Sequence, residues 1–289
     1  MSPPMTRREA LLAGAVAVPS LQSGGSAPRR KRESPMRLGI VTYNIAKDWD
    51  LPTILDVCRS VGLKAVEFRT THSHGIEPAL GSAARAEVRK RCADAGLEQT
   101  SLGTICEFHS PDPGVVEHNL ASCRAFCDLA HDIGARGVKV RPNGLPEGVA
   151  PTRTLEQIGR ALNACGAIAR ELGVEIWMEV HGAATCLPAN ARAIMDACDH
   201  PSVGITWNSN ASDVVNGSID EAYRLLGTRI RCCHITELWN DYPWRELAER
   251  LKAARYDRFH LAELPFSMRP EDARPLLRCY SALWREIAR

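Results

Sequence analysis

Three side chains suited to metal binding and proton transfer stand at the ends of predicted β strands in the second half of the chain: Glu179, His234 and Glu263. Carboxylate oxygens and an imidazole are ligands for a divalent ion such as Mn²⁺, Mg²⁺ or Zn²⁺, and we expect one such ion per chain. Two carboxylates beside an activated C–H bond can also abstract a proton next to a carbonyl and return it. We therefore expect Glu179 and Glu263 to be metal ligands and the acid/base pair, and His234 to be a ligand.

Further polar residues near the strand ends are candidates for binding metal or substrate. Asn208 ends the sixth predicted strand, and its amide oxygen is a weak candidate ligand. Side chains alternate along a strand, so His181 points to the same side as Glu179. Other interpretations stay open, because a carboxylate in a barrel can pair with Lys139 or Arg141 in a structural network, a loop histidine can be solvated, and an aromatic residue can serve packing alone. The residues predicted to contact substrate are His181, Lys139, Glu67, His72, His109 and Trp207.

The elements that must position these residues alternate regularly from Met36 onward. Short β-rich segments are followed by amphipathic helical segments, an order that predicts parallel strands joined by helices. Eight such units in about 250 residues are typical of a (β/α)8 TIM barrel, an α/β fold whose active site lies at the carboxyl ends of the strands. The predicted strands are 38–45, 65–70, 99–105, 137–141, 175–181, 203–208, 230–235 and 259–264.

The predicted helices support the same architecture. Four of them end in a glycine before the next strand, where a left-handed backbone closes a helix without a Cβ penalty. An open doubly wound sheet is the main alternative, but it usually carries a glycine-rich phosphate loop after the first strand, and residues 44–48 contain no glycine. The predicted helices are 51–61, 83–95, 115–133, 154–172, 189–197, 219–226, 244–254 and 270–287, and the glycines are Gly62, Gly96, Gly134 and Gly173.

Charge argues against a nucleic-acid partner. The 36 Lys and Arg residues nearly balance the 34 Asp and Glu residues, for a formal net charge of +2, far from the basic composition of nucleic-acid-binding domains. Many of the basic residues lie in the first 37 positions, so the remainder is mildly acidic. This composition favours a small-molecule partner.

The first 35 residues are predicted to be a leader and linker, followed by the barrel over 36–289. Arg7 and Arg8 precede an apolar stretch from Ala10 to Val18, a pattern that resembles a twin-arginine signal peptide. The stretch is shorter than the roughly 20 apolar residues that a membrane-spanning helix needs. We expect twin-arginine (Tat) export to the periplasm without a stable membrane anchor. The alternative is a disordered basic tail on a cytoplasmic protein.

Eleven cysteines are an odd number without regular spacing, so we expect no disulfide framework. Free cysteine behaves as a small apolar residue inside a protein. Seven of the cysteines fall in predicted helices or directly after one, as Cys198 does: Cys58, Cys92, Cys123, Cys127, Cys165, Cys198 and Cys279.

From Met36 to the C-terminus, the chain resembles the xylose isomerase-like barrel superfamily, the sugar isomerase/epimerase group. Members place Glu, Asp, His and Glu after strands five to eight around one divalent metal. Glu179, His234 and Glu263 match these positions, and residues 179–181 match the Glu-x-His pattern of that group. Asn208 departs from the pattern because it stands where members carry Asp. Ala211 stands where many carry His, which argues against the multi-zinc endonucleases of the superfamily.

This resemblance implies a metal-dependent isomerase or epimerase that acts on a sugar or keto-sugar by proton abstraction next to a carbonyl. A periplasmic location favours an unphosphorylated carbohydrate. The alternatives are a lyase or hydrolase acting on oxidised (keto) glycosides, and a carbohydrate-binding barrel without turnover, which the neutral Asn208 favours. The sequence leaves the oligomeric state open.

Overall fold

The computed structural model describes residues 36–289 and shows eight parallel strands closed into a ring in chain order, with the last strand paired to the first. Helices connect consecutive strands, so the predicted (β/α)8 TIM barrel is confirmed. The strands are β1 (Leu38–Val41), β2 (Ala65–Arg69), β3 (Gln99–Glu107), β4 (Gly137–Arg141), β5 (Glu175–Glu179), β6 (Val203–Trp207), β7 (Ile230–Ile235) and β8 (His260–Ala262).

The eight predicted helices are present, with ends within three residues of the predicted ones. Asp50 accepts a hydrogen bond from the backbone N–H of Thr53 at 2.9 Å and so caps the first long helix. The four glycines predicted to end helices have φ angles between 69° and 79°. The helices are α1 (Tyr43–Ala46), α2 (Leu51–Val61), α3 (Ser82–Asp94), α4 (Pro113–Ile133), α5 (Pro151–Glu171), α6 (Pro188–Asp196), α7 (Asp220–Leu226), α8 (Trp244–Ala253) and α9 (Pro270–Ile287), with 3-10 turns at Ala211–Asp213 and Gly227–Arg229.

The first strand is shorter than the sequence predicts. It ends at Val41 rather than at residue 45, because Thr42 has helical dihedral angles and its carbonyl accepts the N–H of Ala46 to close the single turn of α1. The Thr42 hydroxyl oxygen also accepts the backbone N–H of Arg69 at 2.9 Å. Apolar β-forming residues continue past the strand, so the pattern alone overestimates its length.

The barrel interior has an apolar layer below and a polar layer above, at the carboxyl ends of the strands. Buried apolar side chains from five strands meet in the lower layer, and Trp177 is the largest of them. A Cβ atom at Gly137 would lie 2.4 Å from the Trp177 ring, so glycine is needed there for the ring to fill the barrel. Because side chains alternate, residues two positions further along point inward one level higher. These are Glu67 above Ala65, Glu179 above Trp177, His234 above Cys232 and Glu263 above Leu261.

The amino-terminal end of the barrel is closed by ion pairs. Arg258 donates to both oxygens of Glu175 at 2.6 and 2.8 Å, and the ring N–H of Trp177 donates to the same carboxylate at 2.7 Å. Arg37 lies over the ring of Phe259, 4.3 Å from its centroid. These contacts leave the opposite, carboxyl-terminal end, here called the mouth, as the accessible end of the interior.

The predicted leader, its twin-arginine motif and its boundary at residue 35 lie outside the described residues, so export stays a prediction. In the described part, none of the helices is long and apolar enough to cross a membrane. All eleven cysteines are free, and most are buried as small apolar side chains. Cys279 was predicted among the buried ones but is exposed, because it lies on the outer face of α9.

Candidate metal centre

Glu179, His234 and Glu263 meet in the polar layer at the mouth. The Nδ1 atom of His234 lies 3.4 Å from Oε1 of Glu179 and 3.3 Å from Oε2 of Glu263. Ligand atoms bound to one ion at about 2.1 Å in tetrahedral geometry lie roughly 3.4 Å apart. Three strands that are far apart in sequence therefore bring the predicted trio to the spacing of metal ligands.

The trio fits a cation by its donor atoms as well as by spacing. Nδ1 of His234 is buried and has no hydrogen-bond partner within residues 36–289, although two carboxylates face it. Burial alone would lower the pKa of His234, but the carboxylates of Glu263 and Glu67 outweigh burial and raise this pKa well above its usual value. A buried nitrogen surrounded by negative charge is a place where a cation is stabilised.

Glu67 faces the other nitrogen of the same imidazole. Its Oε2 lies 3.2 Å from Nε2 of His234, and both side chains are fully buried. Burial raises the pKa of Glu67, but His234 and Lys139 outweigh it and hold the pKa below its usual value. A carboxylate on the distal nitrogen fixes the orientation and tautomer of a ligating histidine. Glu67 was predicted to contact substrate, and the structure places it behind His234 instead.

A second group of possible ligands, Glu67, Cys232 and His234, lies just below and fits a metal less well. Nε2 of His234 is already engaged by Glu67, and all three residues are buried below the mouth. Burial raises the pKa of Cys232, so its thiol stays protonated, whereas a metal binds the thiolate. By contrast, Glu263 is partly exposed, so the upper trio can be reached from the mouth.

Lys139 pairs with Glu179 in the same layer. Its Nζ donates to Oε2 of Glu179 at 2.6 Å, and the lysine is fully buried. Burial alone would raise the pKa of Glu179, but Lys139 and His234 hold it well below its usual range, so Glu179 is a carboxylate at neutral pH. Lys139 was predicted to contact substrate; its ammonium instead orients Glu179 and leaves Oε1 toward His234.

Asn208 follows β6 between the strands that carry Glu179 and His234. Its Oδ1 atom is buried without a hydrogen-bond partner in the described part of the chain, and its Nδ2 donates to Asn210 at 3.3 Å. A buried carbonyl oxygen without a hydrogen-bond donor is unfavourable unless it coordinates a cation or accepts a hydrogen bond from water. The orphaned oxygen therefore fits the weak ligand role predicted for Asn208.

The loop after β6 holds its neighbours in place through contacts that the sequence did not reveal. Ser209 donates its hydroxyl to the carbonyl oxygen of His234 at 2.9 Å, and Asn210 donates its amide to the carbonyl oxygen of Val180 at 2.7 Å. The loop thereby ties the carboxyl ends of β5 and β7 together. Only its position after a strand could have identified it, because serine and asparagine are common in loops.

Trp207 does not reach the mouth. Its side chain is 1% exposed and faces the outside of the barrel, because it directly precedes the inward-facing Asn208. It packs against Tyr223 in the helical layer, with ring centroids 6.0 Å apart. Its ring N–H donates to the hydroxyl of Tyr242 at 2.9 Å. The prediction that Trp207 contacts substrate is therefore corrected: the side chain packs between the sheet and the helices.

The predicted histidine contacts lie around the mouth with different partners. His181 is partly buried, and its Nδ1 has no hydrogen-bond partner among residues 36–289. Nδ1 of His109 lies 3.9 Å from Glu107. Nδ1 of His72 lies 3.1 Å from the Thr42 hydroxyl, and burial and Arg69 lower the pKa of His72 to about 4, so this ring is neutral at pH 7.

An arginine on each side of β3 adds positive charge to the mouth. Arg141, on β4, donates to Oε1 of Glu107 at 2.5 Å, and Asn143 donates to the same oxygen at 2.6 Å. Arg69 ends β2, two positions beyond Glu67, and therefore points inward. We did not single out Arg69 from the sequence, although the alternation that identified His181 applies to it equally.

Comparison with known proteins agrees with this architecture. A family model described as the xylose isomerase-like TIM barrel matches residues 55–281. No curated protein sequence matches the chain.

Several solved structures share the fold at low sequence identity. D-psicose 3-epimerase with D-tagatose from Clostridium cellulolyticum superposes with a TM-score of 0.68 at 14% identity, covering 88% of this chain and 96% of the other. The IOLI protein with a bound zinc atom gives 0.71 at 15% identity, covering 88% and 98%. The 3-keto-D-glucoside 4-epimerase YcjR from E. coli gives 0.68 at 15% identity, covering 87% and 99%.

Proposed function

Because this chain belongs to the xylose isomerase-like TIM barrel family, we propose that it is a metal-dependent isomerase or epimerase that moves a proton next to a carbonyl group of a sugar or keto-sugar. The observation that carries the proposal is the unpartnered Nδ1 of His234, with carboxylate oxygens of Glu179 and Glu263 3.3–3.4 Å away. Sugar epimerases and a zinc-binding protein among the structural neighbours support it.

Glu179, His234 and Glu263 would hold the metal, with the amide oxygen of Asn208 as a weaker fourth ligand. A divalent ion bound there would polarise the substrate carbonyl and stabilise negative charge on its oxygen. The ion fits the charge of the site, because three carboxylates at Glu67, Glu179 and Glu263 face a single buried ammonium, Lys139.

The two glutamates are not equivalent as proton carriers. Both oxygens of Glu179 are engaged, one by Lys139 and the other beside His234, so its position is fixed. Glu263 faces the mouth with its side chain 12% exposed, and His234 is its one charged contact in the described chain. We assign the first proton abstraction to Glu263 and the proton return on the other face to Glu179. A positioned carboxylate contributes about 10²–10⁴-fold to such a step.

Deuterium uptake tests this proposal. The Mn²⁺-loaded protein is incubated with a pool of keto-sugars in D2O, and we expect deuterium at a carbon next to the carbonyl, detected by mass spectrometry and NMR. Glu263→Gln should abolish the uptake while keeping bound metal within about tenfold of wild type, since an amide oxygen still ligates. Glu175→Gln, at the opposite end of the barrel, is the matched control and should retain uptake.

A carbohydrate-binding barrel without turnover is the second candidate, because Asn208 and Lys139 both make the site less negative than four acidic ligands would. Sugar binding by the metal-loaded protein without any deuterium uptake would support this candidate and contradict the enzyme. Deuterium uptake accompanied by loss of a glycosidic substituent would instead identify a lyase acting on oxidised glycosides.

A further inference from the structure

Arg69 lies at the mouth without an acidic partner. Its guanidinium forms no ion pair or side-chain hydrogen bond with residues 36–289, and its Nε is buried. Its guanidinium carbon lies over the ring of Tyr43, 5.5 Å from the ring centroid. Arginine in a partly buried position is normally paired with a carboxylate, so a free one at the mouth is a candidate binding group.

The strand beside Arg69 is shaped to hold it. A Cβ atom on Gly103 of β3 would lie 2.7 Å from Cδ of Arg69 and 2.6 Å from Oε1 of Glu67. Any larger residue would therefore displace the arginine from its place against β3. The absence of a side chain at this inward position lets Arg69 extend across the neighbouring strand.

A second arginine and an apolar side chain complete this side of the mouth. Arg141, on the far side of β3, is anchored by Glu107, and its own Nε is buried without an acceptor. Ile105 lies on β3 in the irregular stretch between Gly103, paired with Arg69, and Glu107, paired with Arg141, and it is 52% exposed. An exposed isoleucine on the strand that separates the two arginines offers an apolar surface on this side of the barrel.

Among the inward-facing charged side chains at the strand ends, one positive charge has no ionic partner in the described chain. A divalent ion and Lys139 together balance the carboxylates of Glu67, Glu179 and Glu263. Arg141 balances Glu107, and the pKa of His72 is lowered to about 4, so that ring is neutral at pH 7. Among these inward-facing groups only Arg69 remains uncompensated, and a substrate with a single negative charge would neutralise the site.

We infer that Arg69, assisted by Arg141, binds an anionic group of the substrate on the β2–β4 side of the mouth, opposite the metal centre. The favoured substrate is a sugar acid, whose carboxylate matches the planar guanidinium in a bidentate pair. A phosphate ester offers the same chemistry from another source. The identity of the rest of the substrate rests on the proposed function. The anion site itself rests on the geometry of Arg69 and does not depend on that function.

Ligand binding tests the inference independently of turnover. D-gluconate, D-fructose and a monophosphate ester of fructose are titrated calorimetrically into the wild-type chain, with and without Mn²⁺. We expect gluconate to bind at least about tenfold more tightly than fructose, the effect of a hydrogen bond to a charged group. Arg69→Gln should remove this preference and leave fructose binding within about twofold, Arg69→Lys should keep part of it, and Arg59→Gln on the exposed face of α2 should keep all of it.

The possible outcomes distinguish failure of the anion site at Arg69 from failure of the proposed metal-dependent function. Equal binding of the anionic and neutral ligands by the wild type, or an anion preference that survives in Arg69→Gln, would overturn the inference even if deuterium uptake is observed. Tighter binding of either anion that is lost in Arg69→Gln supports it, and the tighter of the two identifies carboxylate or phosphate. A chain that prefers gluconate through Arg69 but binds no Mn²⁺ keeps the anion site and loses the metal-dependent function.

Discussion

Glu175 and Glu179 lie four residues apart on one strand, face the same barrel interior and each pair with a basic side chain, yet their surroundings differ. The carboxylate of Glu175 accepts two hydrogen bonds from Arg258 and one from Trp177, which satisfies both its oxygens. The carboxylate of Glu179 has a short bond to Lys139 on one oxygen, and the other faces a histidine nitrogen that has no hydrogen-bond partner in the described chain.

This difference separates a structural ion pair from a functional one. Buried polar groups in a folded protein are normally all hydrogen-bonded, so a concentration of unsatisfied atoms marks a place where something else binds. His234 and Asn208 each carry such an atom beside Glu179. A ligand at the carboxyl-terminal end of β5 would satisfy these atoms, whereas the hydrogen bonds of Glu175 at its amino-terminal end are complete without one.

The largest expected effect comes from changing each glutamate to glutamine. Glu179→Gln should lower the rate of deuterium uptake by about 10²–10⁴-fold, because it removes a proton carrier and the negative charge that pairs with Lys139. Glu175→Gln should leave uptake within about threefold of wild type and lower the free energy of unfolding by about 1–3 kcal/mol, since the pair with Arg258 is partly exposed. Uptake kinetics and urea unfolding measure the two quantities.

Equal deuterium uptake by Glu175→Gln and Glu179→Gln would contradict this distinction between the two ends of β5. A Glu175→Gln protein that loses uptake while it remains folded would mean that the amino-terminal pair also supports the chemistry. A Glu179→Gln protein with normal uptake would mean that the Lys139 pair is only structural.

Asp213 extends the comparison to a carboxylate that is buried but bound only by neutral donors. It accepts hydrogen bonds from the Tyr242 hydroxyl at 3.0 Å and the Asn210 backbone N–H at 2.8 Å, and burial raises its pKa to about 7. In the unfolded chain it titrates near 3.8. Between about pH 4 and pH 7 the folded form therefore holds a proton that the unfolded form has lost, and this group's contribution to stability decreases as the pH rises through that window.

Asp213→Asn should remove that pH dependence. Relative to wild type, the free energy of unfolding of the variant should rise by on the order of 3 kcal/mol from about pH 4 to about pH 7, because each pKa unit is worth about 1.4 kcal/mol. Urea unfolding of both proteins across this range measures the difference. A constant difference would show that Asp213 is ionised in the folded protein despite its burial.

The sequence predicts the barrel and the trio well because both follow from periodicity. Alternation places Glu179, His234 and Glu263 inward at the ends of their strands, and closure of the ring then brings them together. It cannot show that β1 ends at Val41, because that end depends on the hydrogen bonds of Thr42. The assignment of Trp207 to the substrate did not apply the same alternation, which places Trp207 on the outer face because it directly precedes the inward-facing Asn208.

Side-chain partners inside the barrel are likewise not visible in the sequence. Glu67 on β2 meets His234 on β7, far along the chain, and Lys139 on β4 meets Glu179 on the neighbouring strand β5, contacts that only the folded structure shows. Polar type and strand position identify such residues as functional candidates. Whether they contact substrate or hold a ligand in place is decided by distances that one-dimensional spacing does not contain.

Glu67 offers a further test of the metal centre, because it contacts His234 at Nε2, the ring nitrogen that does not face Glu179 and Glu263. Its carboxylate orients the imidazole through Nε2 at 3.2 Å. Glu67→Gln should weaken Mn²⁺ binding by about 10–100-fold, as expected for loss of a group that orients a metal ligand. Calorimetric titration of the metal measures the change. Unchanged affinity, with the fold intact by circular dichroism, would mean that His234 does not bind the metal through Nδ1.

The smallest expected effect concerns Asn208, the neutral member of the centre. Its unpartnered Oδ1 lies at the end of β6, between the strands of Glu179 and His234. If this oxygen is a ligand, Asn208→Asp adds one negative charge to the coordination sphere and should tighten Mn²⁺ binding by about tenfold, because ligand charge sets the affinity of oxygen sites. In the absence of metal the same charge has no cation to balance it, so the variant should be less stable than wild type without Mn²⁺ and more stable with excess Mn²⁺. Thermal unfolding under both conditions separates this reversal from a general loss of stability. Equal metal affinity in Asn208→Asp and wild type would remove Asn208 from the ligand set and leave a centre of three protein ligands.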